Sequence, residues 1–229
     1  MVNSTNPTPL PWLKAIGKIP LLISLGLLAC LLTLGPLIAS NREVTLDTAI
    51  LRFLHQVIPA SWDQIFVTIY KITGKEVTAV VIVISLIFAL SKRYWAEAKC
   101  LAFATLGILL VIDQGFKPFF NRLRPGTFDA NLASLVEVDG KSFPSGHAGG
   151  SLVFYFYMAF VLSAHFPQYR QLIYLAATVW VGLVGLSSMY CRVHWPSDIL
   201  AGYSIGFVWL SLTLAWLRRS SSFYRASKL

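Results

Sequence analysis

Residues 171–217 read QLIYLAATVWVGLVGLSSMYCRVHWPSDILAGYSIGFVWLSLTLAWL, two long apolar runs joined by a short polar segment. Each run has about the 20 residues that an α-helix needs to cross the hydrocarbon core of a bilayer. The polar segment carries Arg192, His194 and Asp198 at a point where the chain leaves hydrocarbon and enters it again. This stretch therefore predicts a membrane-spanning helical hairpin with ionisable side chains at its turn.

The composition of the whole chain also indicates a membrane protein. Of 229 residues, 56% are hydrophobic and 13% are charged, whereas soluble domains carry about 25% charged residues. Apolar runs that are long enough or nearly long enough to span a bilayer occur at 19–40, 76–91, 99–119, 147–165, 171–189 and 199–217. We therefore expect an all-α fold, a polytopic bundle of six transmembrane helices. It forms one domain over 1–229, with its core at about 46–217 and cytoplasmic tails at 1–18 and 218–229.

An amphipathic stretch lies between the first two apolar runs. The sequence LDTAILRFLHQVI places its apolar side chains on one helical face, namely Leu46, Ile50, Leu51, Leu54 and Ile58. Such a pattern is typical of a helix that lies in the membrane interface. Packing of the same face against the bundle is the alternative.

The distribution of lysine and arginine predicts the orientation of the chain in the membrane. Basic residues crowd the short loops and tails of one side, namely Lys14, Lys18, Lys92, Arg93, Lys99, Arg170, Arg218, Arg219, Arg225 and Lys228. Because cytoplasmic loops carry such an excess, both termini are expected in the cytoplasm, with the 120–146 and 187–198 segments on the opposite side. The net charge of +9 then mainly reflects topology, since no nucleic-acid motif accompanies it. The compact chain is typical of a bacterial inner-membrane protein.

Three polar clusters fall on this non-cytoplasmic side: KPFFNRLRP at 117–125, FPSGH at 143–147, and SSMYCRVHWPSD at 187–198. Because they follow or precede three different apolar helices, we expect them to converge on one site at the membrane surface. In the first cluster, Lys117 and Arg124 offer positive charge, and arginine suits bidentate contact with phosphate oxygens.

The second cluster predicts an anion site at a helix start. Ser145 is a natural N-cap, and Gly146 lets a ligand approach the free backbone N–H groups of the first turn. With Lys117 and Arg124, these groups would stabilise the charge of a phosphate in its transition state. No carboxylate cluster for a metal is visible in the sequence, so we expect no metal and no cofactor.

Two histidines and an aspartate then indicate phosphoryl transfer through histidine. Asp198 would bond one ring nitrogen of His194 and leave the other free to attack phosphorus. His147 would protonate the leaving oxygen and afterwards activate water for hydrolysis.

The ordered motifs, on six helices, resemble those of the type 2 phosphatidic acid phosphatase superfamily, which includes membrane lipid phosphatases and soluble vanadium haloperoxidases. The resemblance covers about 46–217. It implies that His194 is the nucleophile, His147 the acid and base, and Asp198 the residue that orients His194. It also implies a phosphate-binding set, namely Lys117, Arg124, Ser145 and Gly146. The motifs that carry the resemblance are K-x6-RP from Lys117, PSGH from Pro144, and S-x6-H-x3-D from Ser187.

One position departs from the family pattern. The third motif usually has an arginine directly after its serine, and here Ser188 follows Ser187 in its place. If the fifth transmembrane helix continues, Arg192 lies on the same face one turn later. We therefore hypothesise that Arg192 supplies the missing phosphate contact.

Three further residues have interpretations that depend on their position near helix ends. Asp113 lies one turn before Lys117 and is expected to pair with it and orient it, since an unpaired carboxylate in an apolar helix is costly. Arg122 is interpreted as a headgroup or surface contact, and Trp195 as part of an interfacial aromatic belt.

The leading functional hypothesis is a metal-independent phosphatase for lipid phosphates or lipid pyrophosphates, acting at the non-cytoplasmic face. Candidate substrates are phosphatidic acid, phosphatidylglycerophosphate and undecaprenyl pyrophosphate. The alternatives are a phosphotransferase with an acceptor lipid or sugar, and a catalytically weakened lipid-phosphate-binding protein, which Ser188 suggests. The expected partners are the phosphorylated lipid and the bilayer, without nucleic acid and without an obligate protein partner.

Overall fold

In a computed structural model of the chain, residues 12–40 and 45–225 are described, and every regular element within them is helical. This confirms the predicted all-α fold. The outer parts of both predicted tails lie outside the described residues, as do segment 41–44 and Lys228.

The helices follow one another along the chain with short connections, except for the long loop before α9. Their bounds are α1 (Trp12–Ile16), α2 (Lys18–Ala39), α3 (Thr45–Val57), α4 (Asp63–Ile72), α5 (Lys75–Ser91), α6 (Trp95–Leu109), α7 (Lys117–Phe120), α8 (Pro125–Phe128), α9 (Gly146–His165), α10 (Arg170–Tyr190), α11 (Pro196–Ser220) and α12 (Ser222–Arg225). A π-helical stretch, Leu110–Phe116, joins α6 to α7.

Five helical stretches among the described residues are long and apolar enough to cross a bilayer. They are α2, the stretch Trp95–Phe128 that begins with α6, α9, the stretch Pro167–Tyr190 that ends with α10, and α11. A sixth is obtained only if α4 and α5, which meet at an angle of 49°, cross together as one broken span. The chain is an integral membrane protein, and the count of six spans stays a prediction.

The core is built around α9, which packs against α6, α10 and α11. Glycines let α9 and α11 approach backbone to backbone, as small residues do in membrane helix pairs. A Cβ atom on Gly202 would lie 2.5 Å from the carbonyl oxygen of Ser145, and one on Gly149 would lie 3.0 Å from the carbonyl oxygen of Gly202. The first turns of α9 and α11 are therefore held together at the same end of the bundle.

The amphipathic segment forms helix α3, and its two sides differ in how far they are buried. Asp47 and Leu51 are buried against the bundle, whereas Leu46, Phe53 and Val57 are 74%, 59% and 60% exposed. The predicted single apolar face is therefore divided, because Leu51 packs inward and Leu46 points outward. The location of α3 in the membrane interface stays a prediction.

Candidate active site

The three polar clusters meet at one end of the bundle. The N–H of Ser145 donates to the carbonyl oxygen of Asp198 over 3.0 Å, which joins the second cluster to the third. The Nζ atom of Lys117 lies 3.9 Å from the position that a Cβ atom would occupy on Gly146, which joins the first cluster to the second. Residues that are far apart in the sequence thus line one site.

His194 is buried in the turn between α10 and α11. Its Nδ1 atom lies 3.4 Å from Oδ2 of Asp198, four residues later in the first turn of α11. The same carboxylate oxygen accepts a hydrogen bond from the N–H of Trp195 at 2.9 Å. Pro196 starts the helix there, because its fixed φ suits the first helical position. With Nδ1 beside Asp198, Nε2 is the ring nitrogen of His194 that is left for a nucleophilic role.

The surroundings of His194 favour its neutral form. Burial lowers the pKa of His194, because the imidazolium ion would lose its hydration. The hydrogen bond with Asp198 acts in the opposite direction, whereas the positive charges of Arg124 and Lys117 lower the pKa further. The ring is therefore neutral near pH 7, the state in which a histidine can act as a nucleophile.

His147, in the first turn of α9, belongs to the same end of the bundle. Its ring stacks on the ring of Tyr70 from α4, with centroids 4.3 Å apart and planes inclined by 16°. Its Nε2 atom is buried and makes no hydrogen bond with the residues that the structure describes. Since buried polar atoms normally have partners, this nitrogen is suited to exchange a proton with a bound ligand.

Lys117 follows the π-helical stretch and begins α7. Such stretches are frequent at functional sites. Its Nζ atom lies 2.6 Å from Oδ1 of Asp113, so the ion pair expected from the sequence is present. The lysine side chain is 21% exposed, which leaves its ammonium group accessible to a ligand at the start of α9.

The guanidinium of Arg124 connects the long loop before α9 to the turn that carries His194. Nη2 donates to the carbonyl oxygen of Asp139 at 3.0 Å, and Nη1 donates to that of Val193 at 2.8 Å. Each terminal nitrogen carries two N–H groups, so donors remain on both for a phosphate oxygen. The predicted phosphate contact of Arg124 stays a prediction, and the structure adds a role in holding the turn before His194.

Ser145 is the N-cap of α9, as its position in the sequence predicts. Its backbone is extended, and its Oγ atom accepts a hydrogen bond from the N–H of Ala148 at 3.3 Å. The N–H groups of Gly146 and His147 belong to the same first turn, where a helix offers donors to an anion. Binding of phosphate at this helix start stays a prediction.

Arg192 does not lie where the hypothesis of a continued helix requires it. The helix α10 ends at Tyr190, and Arg192 has a left-handed backbone with φ of 56°. Its Nη1 atom donates to the carbonyl oxygen of Ala133 at 3.3 Å, in the loop between α8 and α9. The hypothesis that Ser188 and Arg192 share a helical face is wrong, because the helix has ended before residue 192.

The two serines of the third motif stabilise the backbone around His194. The Oγ atoms of Ser187 and Ser188 each donate to the carbonyl oxygen of Val184, at 2.8 and 2.9 Å. The carbonyl oxygen of Ser188 accepts from the N–H groups of Val193 and His194 at 3.1 and 3.3 Å. Ser188 therefore helps to close the turn that carries His194.

Arg122 is fully buried beneath the site, so its interpretation as a surface contact is wrong. Nη1 lies 2.6 Å from Oδ1 of Asp198, and Nη2 lies 2.7 Å from Oδ2 of Asp47 in α3. The ring of Trp195 lies 5.4 Å from the guanidinium and is buried too, which corrects its assignment to an interfacial belt. The sequence signal for a buried partner of Arg122 is Asp47, an acidic residue one turn before the buried Leu51.

Comparisons with known proteins agree with this architecture. The family model described as "PAP2 superfamily" matches residues 97–222. Phosphatidylglycerophosphatase B of Bacillus subtilis is 33% identical over 101 residues, which cover 43% of this chain and 47% of that protein. Lipid A 4'-phosphatase of Bacteroides thetaiotaomicron is 28% identical over 171 residues, which cover 70% and 72%. Lipid A 1-phosphatase of Rhizobium johnstonii is 36% identical over 141 residues, which cover 56% and 54%.

The matches with the Bacillus and Rhizobium proteins thus span about half the length of each relative. The chain also resembles a solved structure, the crystal structure of the first transmembrane PAP2 type phosphatidylglycerolphosphate phosphatase from Bacillus subtilis. The TM-score is 0.70 at 24% sequence identity, over 85% of this chain and 93% of that chain. At this identity the likeness establishes the fold.

Proposed function

Because the chain belongs to the PAP2 superfamily, we propose that it is a membrane phosphatase that hydrolyses lipid phosphates through a phosphohistidine, without a metal ion. The observation that carries the proposal is the pair of histidines in one site. His194 is buried and lies beside Asp198, and Nε2 of His147 is buried without a hydrogen-bond partner among the described residues.

The first step is transfer of the phosphoryl group to the protein. Nε2 of neutral His194 attacks phosphorus with its lone pair while the bond from phosphorus to the lipid oxygen breaks. His147, in its protonated form, gives a proton to that oxygen, and the dephosphorylated lipid leaves. Asp198 stabilises the positive charge that develops on the ring of His194.

The second step is hydrolysis of the intermediate. His147, now neutral, takes a proton from a water molecule, whose oxygen attacks phosphorus. The phosphorus–nitrogen bond breaks, its electron pair returns to His194, and inorganic phosphate is released. Lys117, Arg124 and the N–H groups at the start of α9 stabilise the negative charge on the phosphate oxygens in both steps.

We propose a lipid phosphate monoester as the substrate class. The named relatives are phosphatases of phosphatidylglycerophosphate and of lipid A, which differ in their lipid portion. Phosphatidic acid is a phosphate monoester too, whereas undecaprenyl pyrophosphate carries its terminal phosphate as an anhydride, so including both tests the limits of this class.

We further propose that both termini lie in the cytoplasm and that the site faces the extracytoplasmic side of a bacterial inner membrane. The excess of lysine and arginine in the short loops opposite the site supports this orientation.

The test is phosphate release by the purified protein in detergent, with EDTA present. The panel holds phosphatidylglycerophosphate, phosphatidic acid, lipid A and undecaprenyl pyrophosphate. We expect release by the parent protein and none by His194→Ala. His165→Ala is the matched control, because this histidine ends α9 at the side away from the site, and it should retain activity.

Two results would contradict the proposal. Absence of release from every lipid, by folded protein, would favour a lipid-phosphate-binding protein. Transfer of labelled phosphate to an acceptor lipid or sugar without free phosphate would identify a phosphotransferase.

A further inference from the structure

A buried arginine connects the proposed catalytic turn to a helix that belongs to none of the three motifs. Arg122 is fully buried, where an ionised side chain is unfavourable unless it is paired. Its Nη1 atom donates to Oδ1 of Asp198 at 2.6 Å and to Oγ of Ser197 at 2.7 Å. Its Nη2 atom donates to Oδ2 of Asp47 at 2.7 Å. The guanidinium therefore bridges two carboxylates.

Asp47 also binds the first turn of α11 directly. Its Oδ1 atom accepts from the backbone N–H of Ser197 at 3.0 Å, and its Oδ2 atom accepts from the Ser197 hydroxyl at 2.5 Å. An acid of α3 thus satisfies an N–H that α11 itself leaves unpaired. The position of α11 relative to α3 depends on this contact.

The carboxylate of Asp198 is consequently held on both oxygens. Oδ1 accepts from Arg122, and Oδ2 accepts from the N–H of Trp195 and lies beside Nδ1 of His194. The Trp195 ring covers the guanidinium, and its Nε1 atom donates to the carbonyl oxygen of Leu123 at 2.9 Å. If Arg122 were removed, Oδ1 would lose a short charge-assisted bond and the carboxylate would be able to rotate.

From these contacts we infer that Asp47, Arg122 and Ser197 form a positioning unit that fixes Asp198 and thereby the orientation and charge state of His194. The inference rests on the proposed function, since it assigns these residues to the same reaction. The hydrogen bonds described above join these residues to one another and to Asp198, so their effect on His194 passes through Asp198. At metal sites, replacing a group that orients a ligating histidine lowers affinity or activity about 10–100-fold, and we expect an effect of similar size here.

Within the positioning unit, Asp47 is negative and Arg122 is positive, so removing one charge or the other predicts effects of opposite sign on His194. Loss of the Arg122 charge leaves the negative charge of Asp198 uncompensated, which raises the pKa of His194. Loss of the Asp47 charge leaves Arg122 less compensated, which lowers it. The other ionisable groups that act on His194 are Lys117, Arg124 and His147; both substitutions leave those three in place.

The experiment compares Arg122→Gln, Arg122→Lys and Asp47→Asn in the full-length protein, with phosphate release measured across pH. We expect kcat to fall about 10–100-fold in Arg122→Gln, with KM within about threefold of the parent because phosphate contacts remain. The acid limb of kcat/KM should move to higher pH in Arg122→Gln and to lower pH in Asp47→Asn.

Arg122→Lys separates charge from geometry. A lysine keeps the positive charge but cannot bridge two carboxylates with a planar fork. We expect a lower kcat with an acid limb close to that of the parent. If Arg122→Gln does not fold, Arg122→Lys and Asp47→Asn still test the inference. The acid limb should stay close to that of the parent in Arg122→Lys and move to lower pH in Asp47→Asn.

The matched control is Arg52→Gln, which removes the arginine of another arginine–aspartate pair, one that is exposed. Arg52 lies on α3, 3.9 Å from Asp129, with 61% of its side chain exposed, and its replacement should leave kcat and the pH profile unchanged. Parent-like kcat in folded Arg122→Gln would overturn the inference, as would acid limbs that do not move or that move in the same direction. An inactive parent would instead overturn the proposed function, and the inference with it.

Discussion

The protonation state of His194 decides when the proposed reaction can begin. Only the neutral ring can attack phosphorus, and burial lowers the pKa of His194. The folded protein therefore keeps this ring neutral to a lower pH than the unfolded chain, in which a histidine has a pKa of about 6.5. As the pH falls below that value, the unfolded chain binds a proton that the folded protein excludes, so acidification destabilises the fold.

This linkage predicts a difference in thermal stability that depends on pH. Between pH 8 and pH 5, the melting temperature of the parent in detergent should fall more steeply than that of His194→Gln, which removes this titration. Differential scanning fluorimetry at half-unit pH steps measures both slopes. Parallel slopes would mean that His194 titrates alike in the folded and unfolded states.

Lys117 and its partner should differ in how much they contribute to activity. Lys117→Gln removes a positive charge from the proposed phosphate site, and loss of one such donor typically lowers kcat about 10²–10³-fold. Asp113→Asn leaves the ammonium in place and removes only the ion pair of 2.6 Å, so its effect on kcat should be smaller. Lys75→Gln, an exposed lysine at the start of α5, is the control. Equal losses in Lys117→Gln and Asp113→Asn would contradict this division of roles.

Among the helices, the contact of α9 with α11 fixes the distance between the two histidines. No side-chain atom fits at Gly202, where a Cβ atom would lie 2.5 Å from the carbonyl oxygen of Ser145. Ser145 is in turn hydrogen-bonded to the carbonyl oxygen of Asp198. A separation of these helices would therefore disturb the N-cap of α9 and the residue that orients His194 together.

Gly202→Ala tests this dependence on helix spacing. Overpacking at such a contact typically lowers the free energy of unfolding by about 1–3 kcal/mol. Phosphate release should also fall in the variant that remains folded, because the first turns of both helices move. Gly26→Ala in α2 is the matched control, since a Cβ atom there has no neighbour within 4 Å. Thermal unfolding and phosphate release are measured on both variants. Equal values for Gly202→Ala and Gly26→Ala would refute the expectation.

The helices also explain which parts of the site were predictable from the sequence. The pairs Asp113–Lys117 and His194–Asp198 are four residues apart, and Ser145 directly precedes an apolar helix, so local spacing was sufficient for all three. The helix α10 ends at Tyr190, one residue after the predicted apolar run 171–189. Only the hypothesis about Arg192 needed a further turn, and no glycine or proline between Tyr190 and Pro196 marks the end of the helix.

Arg122 was misinterpreted for a different physical reason. Its partners Asp47 and Asp198 are 75 and 76 residues away, and an arginine at the end of an apolar run also suits a membrane anchor. Periodicity and composition describe one segment at a time. Only the packing of α3 and α11 around Arg122 distinguishes the two roles.

For the molecule as a whole, the site and the chain ends are expected on opposite sides of the membrane. The loop residue Glu137 and the turn residue Lys92, both exposed, report on the two sides. In a background with Cys30→Ser, a membrane-impermeant maleimide should label Glu137→Cys in intact cells and Lys92→Cys only after permeabilisation. The remaining cysteines, Cys100 and Cys191, are buried. Reversed labelling would invert the proposed orientation.

The position of α3 has a consequence for how parts of this chain can be moved to another protein. The family model matches residues 97–222, and Asp47, which shares Arg122 with Asp198, lies outside that region. The segment that the family model matches therefore contains the buried charge of Arg122 but only one of the two carboxylates that neutralise it. A chimera with residues 97–222 on another scaffold would keep the contact of Arg122 with Asp198 and lose its contact with Asp47. The host would have to supply an acidic residue at the place of Asp47. An exchangeable segment of this chain that keeps both partners of Arg122 begins before α3.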